Sequence, residues 1–146
     1  MTDYRQLTDT IFASPQIDPA ELADAAAQGF TLVINNRPDG EDPAQPDSAE
    51  VEQAARAAGM DYLAIPITRA GFSEAQVSAM AEALGKASGK VLAFCRTGTR
   101  STLLWALARS QAGDDPEATA RAAAAAGYDV APVRPAMDML AGKAAG

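Results

Sequence analysis

At 146 residues, 48% hydrophobic and 21% charged, the chain reads as one domain over residues 1–146, long enough to bury a core. Its formal charge of -7 argues against nucleic acid or an anionic membrane as partner, so an anion pocket here has to be a local positive island. One cysteine excludes an internal disulfide framework or a Cys-cluster metal site, and the lack of histidine removes Cys-His and Ser-His catalysis with most zinc chemistry.

In chain order, residues 4 to 16 form a lead-in in which Thr10-Ile11-Phe12-Ala13 suggests a brief edge strand. The N-terminus lacks the basic, apolar, small-residue order of a signal peptide, and no run reaches membrane length, so the expected location is cytoplasmic. Asp18-Pro19-Ala20-Glu21 starts a helix, with Asp at the cap, Pro in the first turn and Glu three residues after the cap; Gly29 ends it. Phe30 to Ile34 is a buried strand, and the proline-rich, acidic stretch from Arg37 to Asp47 is a loop. Residues 48 to 58 read as a second helix closed by Gly59, and Tyr62 to Ile67 as a strand with Pro66 near its exit. Ser73-Glu74-Ala75-Gln76 is a capping box for a helix reaching about Lys86. Strand 91–95 and a helix from Arg100 to about Ala112 follow, then an alanine-rich helix from Pro116 to Ala126 and a short one over 135–141 with a frayed tail. Strands alternating with helices imply a three-layer α/β fold: a mostly parallel sheet of four or five strands, flanked by helices.

The chemistry concentrates at Val91-Leu92-Ala93-Phe94-Cys95-Arg96-Thr97-Gly98-Thr99-Arg100-Ser101-Thr102. A cysteine at the end of a buried strand, followed by a tight loop and a helix, lets backbone amides curl around the sulfur while the helix N-terminus adds partial positive charge. That field favours the thiolate, the nucleophilic form. Arg100 can close over the rim with a planar fork of donors, and Gly98 supplies a backbone conformation that a side chain would block. Ser101 can donate to the sulfur or help to satisfy the helix start. Cys95 could instead be a buried structural residue, but two arginines and a glycine at a strand-to-helix junction make poor core. Trp105 and Met80 read as core, and Asn35-Asn36 as a pair bracing a strand end.

The same stretch resembles the cysteine loops of the protein tyrosine and dual-specificity phosphatases and of the rhodaneses. Phosphatases place five residues between Cys and Arg; here four separate Cys95 from Arg100, the shorter rhodanese-type spacing. With Val33-Ile34-Asn35-Asn36-Arg37-Pro38-Asp39-Gly40-Glu41, the chain from about residue 4 to residue 140 resembles the beta-lactamase-hydrolase-like domain family. That resemblance implies a dual-specificity-phosphatase-like fold and a functional link to persulfide-handling enzymes, to which some members are fused.

In the phosphatases resembled, an Asp on a mobile loop protonates the leaving alkoxide. The matching segment, Ile67-Thr68-Arg69-Ala70-Gly71-Phe72-Ser73, holds no acid, and Asp39 or Glu41 could substitute only if their loop folds inward. Sulfur transfer needs no such proton, so the leading expectation is a rhodanese-like sulfurtransferase. It would move sulfur from thiosulfate or a persulfide, through a Cys95 persulfide, to a low-molecular-weight thiol, sulfite or cyanide. The alternatives are a cysteine phosphatase acting on aryl or phosphotyrosine-like esters through a Cys95 phosphocysteine, and a non-catalytic module binding anions or persulfides. The expected catalytic residues are Cys95, Arg100 and Ser101. Arg96, Thr97, Gly98, Thr99, Arg37 and Arg69 are expected to bind substrate, and no metal or cofactor is implied. Arg96 and Arg69 also fit plain solvated or ion-paired surface positions.

Overall fold

The computed structural model describes residues 3–146. Five strands form one sheet in the order β1-β2-β5-β3-β4: β1 (Arg5–Gln6), β2 (Ile11–Ser14), β3 (Phe30–Asn35), β4 (Asp61–Ala64) and β5 (Lys90–Phe94). All pairs are parallel except β1 with β2, which is antiparallel. The run expected to be an edge strand is therefore interior, covered by the two-residue β1. Arg5 and Gln6 are too few and too polar to show an alternating pattern, so nothing in the sequence announces that strand.

β5 is central, with Phe94 in register with Ser14 on one side and Asn35 on the other. Its side chains alternate between two apolar layers, because successive strand residues face opposite ways. Val91 and Ala93 face a core with Ile34, Met80, Leu104, Trp105 and Met137, whereas Leu92 and Phe94 face one with Ile17, Leu22, Phe30, Val33 and Val51. Trp105 and Met80 are buried as expected. Helices α1 (Leu22–Ala27) and α2 (Ser48–Ala57) cover the second face; α3 (Glu74–Lys86), α4 (Thr99–Gln111), α5 (Pro116–Ala125) and α6 (Arg134–Ala145) cover the first.

Local chemistry fixes the helix starts. Reciprocal capping boxes form at Asp18 with Glu21, at Asp47 with Glu50 and at Ser73 with Gln76, each satisfying two otherwise unpaired amides. The first of these opens a 3-10 turn, Pro19–Glu21, that leads into α1.

Two expected boundaries shift. β4 ends at Ala64, before Pro66, yet Ile65 and Ile67 still donate backbone bonds to Asn35 and Asn36 at 2.9 and 3.0 Å. The last helix spans Arg134–Ala145 instead of 135–141, because its alanines are the best helix formers and Met137 anchors it in the core. Among the described residues, no helix is long and apolar enough to cross a membrane.

The C-terminal ends of β2, β3, β4 and β5 all open on one edge of the sheet. The following loops meet there, the usual place for a site in a parallel sheet. Asn36 N donates to Phe94 O at 2.8 Å and Gln16 N to Arg96 O at 3.2 Å, tying two of these loops to the end of β5.

Candidate active site

Cys95 follows the last residue of the central strand, and α4 begins four residues later. Turning the chain in that distance requires Gly98, which caps α4 with φ of 93° in the left-handed region. The turn aims the Gly98 amide at the Cys95 sulfur, 3.1 Å away. The carbonyls point elsewhere and are pinned: Gly98 O accepts from Thr102 N (3.0 Å) and Thr102 Oγ1 (2.8 Å), and Thr97 O accepts from the Tyr128 hydroxyl (3.0 Å). With these carbonyls engaged elsewhere, the Gly98 amide is the loop donor that faces the sulfur. Among the described residues, the amides of Arg96, Thr97, Arg100 and Ser101 donate to no protein acceptor. Several amides without a protein acceptor beside the start of a 13-residue helix are the donors from which an anion-binding nest is built.

Arg100 ties the first turn of α4 to the loops that follow β3 and β4. Its Nη1 donates to Ile67 O at 2.8 Å, and its two terminal nitrogens grip both Glu41 carboxylate oxygens at 2.7 and 2.8 Å. Glu41 also accepts from Arg37 Nε at 2.9 Å, and Arg37 Nη1 donates to Gln16 Oε1 at 3.0 Å. The Arg100 pKa is raised above its ordinary value, first by its Glu41 hydrogen bonds; partial burial opposes this, and the Cys95 sulfur adds to it. Hydrogen bonds from Arg100 lower the Glu41 carboxyl from 4.5 to about 2, against a burial effect that raises it, with Arg37 adding to the drop.

The loop after β3 therefore folds inward, which the sequence left open. Glu41 reaches the site, whereas Asp39 accepts from Ser48 N at 2.8 Å, at the start of α2. Asn35 Oδ1 accepts from Arg37 N and Asn36 Nδ2 donates to Ile65 O, so the paired asparagines brace the strand end as expected. Gln16 and Tyr128 were not among the expected site residues. Gln16 sits 21 positions from Arg37 in sequence and Tyr128 31 from Thr97, so no local pattern links them. Burial raises the Tyr128 pKa, Arg5 beside it lowers it and Cys95 raises it further; the net shift is upward, which keeps the hydroxyl a donor to Thr97 O.

Among the expected site residues, Arg37, Arg69, Arg96 and Arg100 come together with Glu41, Asp42 and Thr68 around a cleft of about 680 Å³. Thr97 and Thr99 are exposed on the loop and bonded to each other through their hydroxyls at 3.0 Å. Arg37, expected to face substrate from a rim, lines the cleft but is largely buried (7% exposed), with its guanidinium engaged by Glu41 and Gln16, two polar partners that make its burial tolerable. Ser101 is also buried, and its hydroxyl makes no hydrogen bond; the expected donation to sulfur is not made, since the side chain lies within the buried face of α4. Cys95 has no exposed surface, and the cleft lining stops short of it at Arg96, Arg100 and Glu41. A second cavity, about 530 Å³, opens around Phe72, Val77, Leu107 and Met139, away from the cysteine loop. Among the described residues, no group of three His, Cys, Asp or Glu could hold a metal.

Glu41 gives a pH signature. Its folded pKa lies below the ordinary 4.5, so its contribution to stability is complete above about 4.5 and is lost as pH falls toward about 2. Its side chain is 31% exposed, which screening discounts to roughly 1 kcal/mol or less. The gap in unfolding midpoint between wild type and Glu41→Gln should therefore narrow steadily as pH falls through that window. A gap constant across it would refute the assignment.

Comparison with known proteins supplies the family. The family model described as "Beta-lactamase hydrolase-like protein, phosphatase-like domain" matches residues 3–114. A beta-lactamase hydrolase-like protein of Agrobacterium fabrum is 41% identical over 104 residues, covering 71% of this chain and 24% of the relative. One from Xylella fastidiosa is 36% identical over 101 residues, covering 69% and 23%. The chain thus spans about a quarter of the length of these curated relatives.

Among solved structures, a phosphatase candidate from Neisseria meningitidis superimposes with a TM-score of 0.82 at 33% identity, covering 96% of this chain and 99% of its own. Kinase associated phosphatase superimposes with a TM-score of 0.72 at 15% identity, covering 100% of this chain and 96% of its own; this shows a shared fold. With most of the chain matched by sequence and nearly all of it by structure, the protein belongs to the phosphatase-like domain family of the beta-lactamase hydrolase-like proteins.

Proposed function

We propose that the protein is a cysteine-dependent phosphatase, which reverses the order of the two enzymatic readings drawn from sequence. The observation that carries this is the Gly98 amide donating to the Cys95 sulfur beside loop amides that have no protein acceptor among the described residues, with Arg100 near enough for the sulfur to raise its pKa, on a phosphatase-like scaffold. A nest built from such amides suits the three equatorial oxygens of a phosphoryl group in transfer.

In this mechanism the Cys95 thiolate attacks phosphorus, forming an S–P bond as the bond to the leaving oxygen breaks. The leaving group departs with the electron pair. Water then attacks the phosphocysteine, the S–P bond breaks, and orthophosphate and the thiolate are regenerated, with the proton of water passing to phosphate or solvent. Arg100 balances charge on the phosphoryl oxygens once its grip on Glu41 loosens. Arg37, through Glu41, is a positioning residue. Glu41 is ionised at neutral pH, so it does not protonate a leaving group while it bridges the two arginines. Substrates whose leaving groups depart unprotonated are therefore preferred.

Sulfur transfer is the second reading. It is favoured by the four-residue spacing of the loop and by the lack of an acid in residues 67 to 73. Small sulfur compounds, thiols and a persulfide-handling partner belong to that reading alone. Incubating the protein separately with 4-nitrophenyl phosphate and with thiosulfate, then weighing the intact chain, separates the two. Turnover of the ester with a trapped phosphoryl adduct on Cys95 is expected. A persulfide adduct without ester hydrolysis would overturn the phosphatase reading.

A further inference from the structure

The walls of the cleft next to the cysteine loop, whose lining reaches Arg96 and Arg100 on either side of that loop, suggest what leaves during the reaction. Every lining side chain is charged or carries a hydroxyl; no aromatic or aliphatic side chain contributes. Arg37 and Arg100 are paired with Glu41. Arg69 and Arg96, both exposed at the mouth, form no ion pair or side-chain hydrogen bond among the described residues. The one other acid in the cleft, Asp42, is exposed, and its Oδ1 accepts from Ala44 N at 2.8 Å. In a chain of charge -7, two unpaired guanidinium groups in the cleft next to the cysteine loop form a local site for a second anion.

Leaving-group chemistry narrows the class. An alkoxide needs a proton, and the loop over residues 67–73 carries no acid to give one. A phenoxide can leave without one, but its ring would need an apolar or aromatic wall, which this cleft lacks. A phosphate leaving group meets both conditions, being a stable anion with a second pKa near about 6 and requiring a polar, cationic wall.

We propose, building on the phosphatase reading, that the substrate is a small-molecule phosphoric anhydride, with its terminal phosphoryl group over Cys95 and the phosphate beyond the bridging oxygen held by Arg69 and Arg96. The S–P bond forms as the P–O bond to the bridging oxygen breaks. The departing phosphate keeps the electron pair and leaves as an anion paired with the two arginines, and water completes the cycle as above, with no change of oxidation state. The cleft, about 680 Å³, lies in the range of small-molecule sites.

Initial rates on inorganic tripolyphosphate, glycerol phosphate, 4-nitrophenyl phosphate and an acidic phosphotyrosine peptide test this, using wild type, Cys95→Ser and the double variant Arg69→Gln/Arg96→Gln. Wild type should cleave tripolyphosphate with kcat/KM at least about 100-fold above glycerol phosphate. The double variant should lower the ratio of tripolyphosphate to 4-nitrophenyl phosphate efficiency by at least about tenfold, from the loss of two charge-assisted contacts.

Cleavage of 4-nitrophenyl phosphate without cleavage of tripolyphosphate would overturn the anhydride and leave the phosphatase reading standing. Failure on every phosphate would remove both. The anhydride is also overturned if the peptide is the better substrate, if the ratio is unchanged in the double variant, or if tripolyphosphate hydrolysis survives Cys95→Ser. Circular dichroism of the double variant excludes misfolding, which is not expected because neither arginine is buried.

Discussion

Cys95→Ser should lower phosphate-ester turnover at least about a thousandfold while leaving the protein folded. The two halves of that expectation have different physical origins. Turnover falls because a serine hydroxyl is far harder to ionise than a thiol, and the chain contains no histidine to take its proton. The fold persists because oxygen can accept the Gly98 amide that sulfur now accepts, which leaves the serine O–H as the one newly buried donor. Burying that hydroxyl should cost about 1–3 kcal/mol, less than the stability of a typical domain. Steady-state kinetics and a thermal melt, run together, check both halves. Residual activity within tenfold of wild type would remove Cys95 from the mechanism. A collapsed melt would mark it as structural, the bland alternative for any buried cysteine.

Gly98→Ala should destabilise the fold by roughly 2–4 kcal/mol, lowering the melting temperature by about 5–12 °C, and should inactivate the site. Two costs combine. The backbone at φ of 93° is a conformation that a residue with a Cβ adopts only under strain. The added Cβ would also overlap the Tyr128 hydroxyl and lie 2.9 Å from its Cζ. Relief by movement of Tyr128 would break its hydrogen bond to Thr97 O, which pins the loop carbonyl. Combining Gly98→Ala with Tyr128→Phe separates the costs: removing the hydroxyl should recover part of the stability, and the backbone strain should remain. Gly98→Ala within about 0.5 kcal/mol of wild type would show that the loop is not held as described.

These two residues were legible in sequence for different reasons. Cys95 is marked by position, at the end of the apolar run 91–94 and before a helix-period pattern, which places a thiol at the mouth of a parallel sheet. Gly98 is marked by the need to turn between the two. What could not be read was the object that Gly98 makes room for. Tyr128 comes from the turn after α5, and only helix packing brings it over the loop.

Glu41 illustrates the same limit. Its loop was visible from its prolines and acids, but the orientation that sends Glu41 inward and leaves Asp39 at a helix start depends on both arginine partners. The ranking of functions turned on this kind of fact. Spacing within the cysteine loop pointed to sulfur chemistry, whereas the scaffold and its relatives are phosphatase-like, which is the ground for the proposed order.

The sequence by itself determined the local features: helix starts from capping residues, buried strands from apolar runs, the strand–loop–helix setting of Cys95, and the α/β class that follows from alternation. Each depends on neighbours within a few residues, where propensity and pattern act directly. Only the tertiary structure decided that β2 is interior, that Arg37 is buried against Glu41, that the buried Ser101 hydroxyl makes no hydrogen bond, and that Arg69 and Arg96 stand unpaired at one mouth. Those outcomes are set by contacts between distant segments, whose partners are chosen when the two apolar layers close on the sheet and bring its loops together.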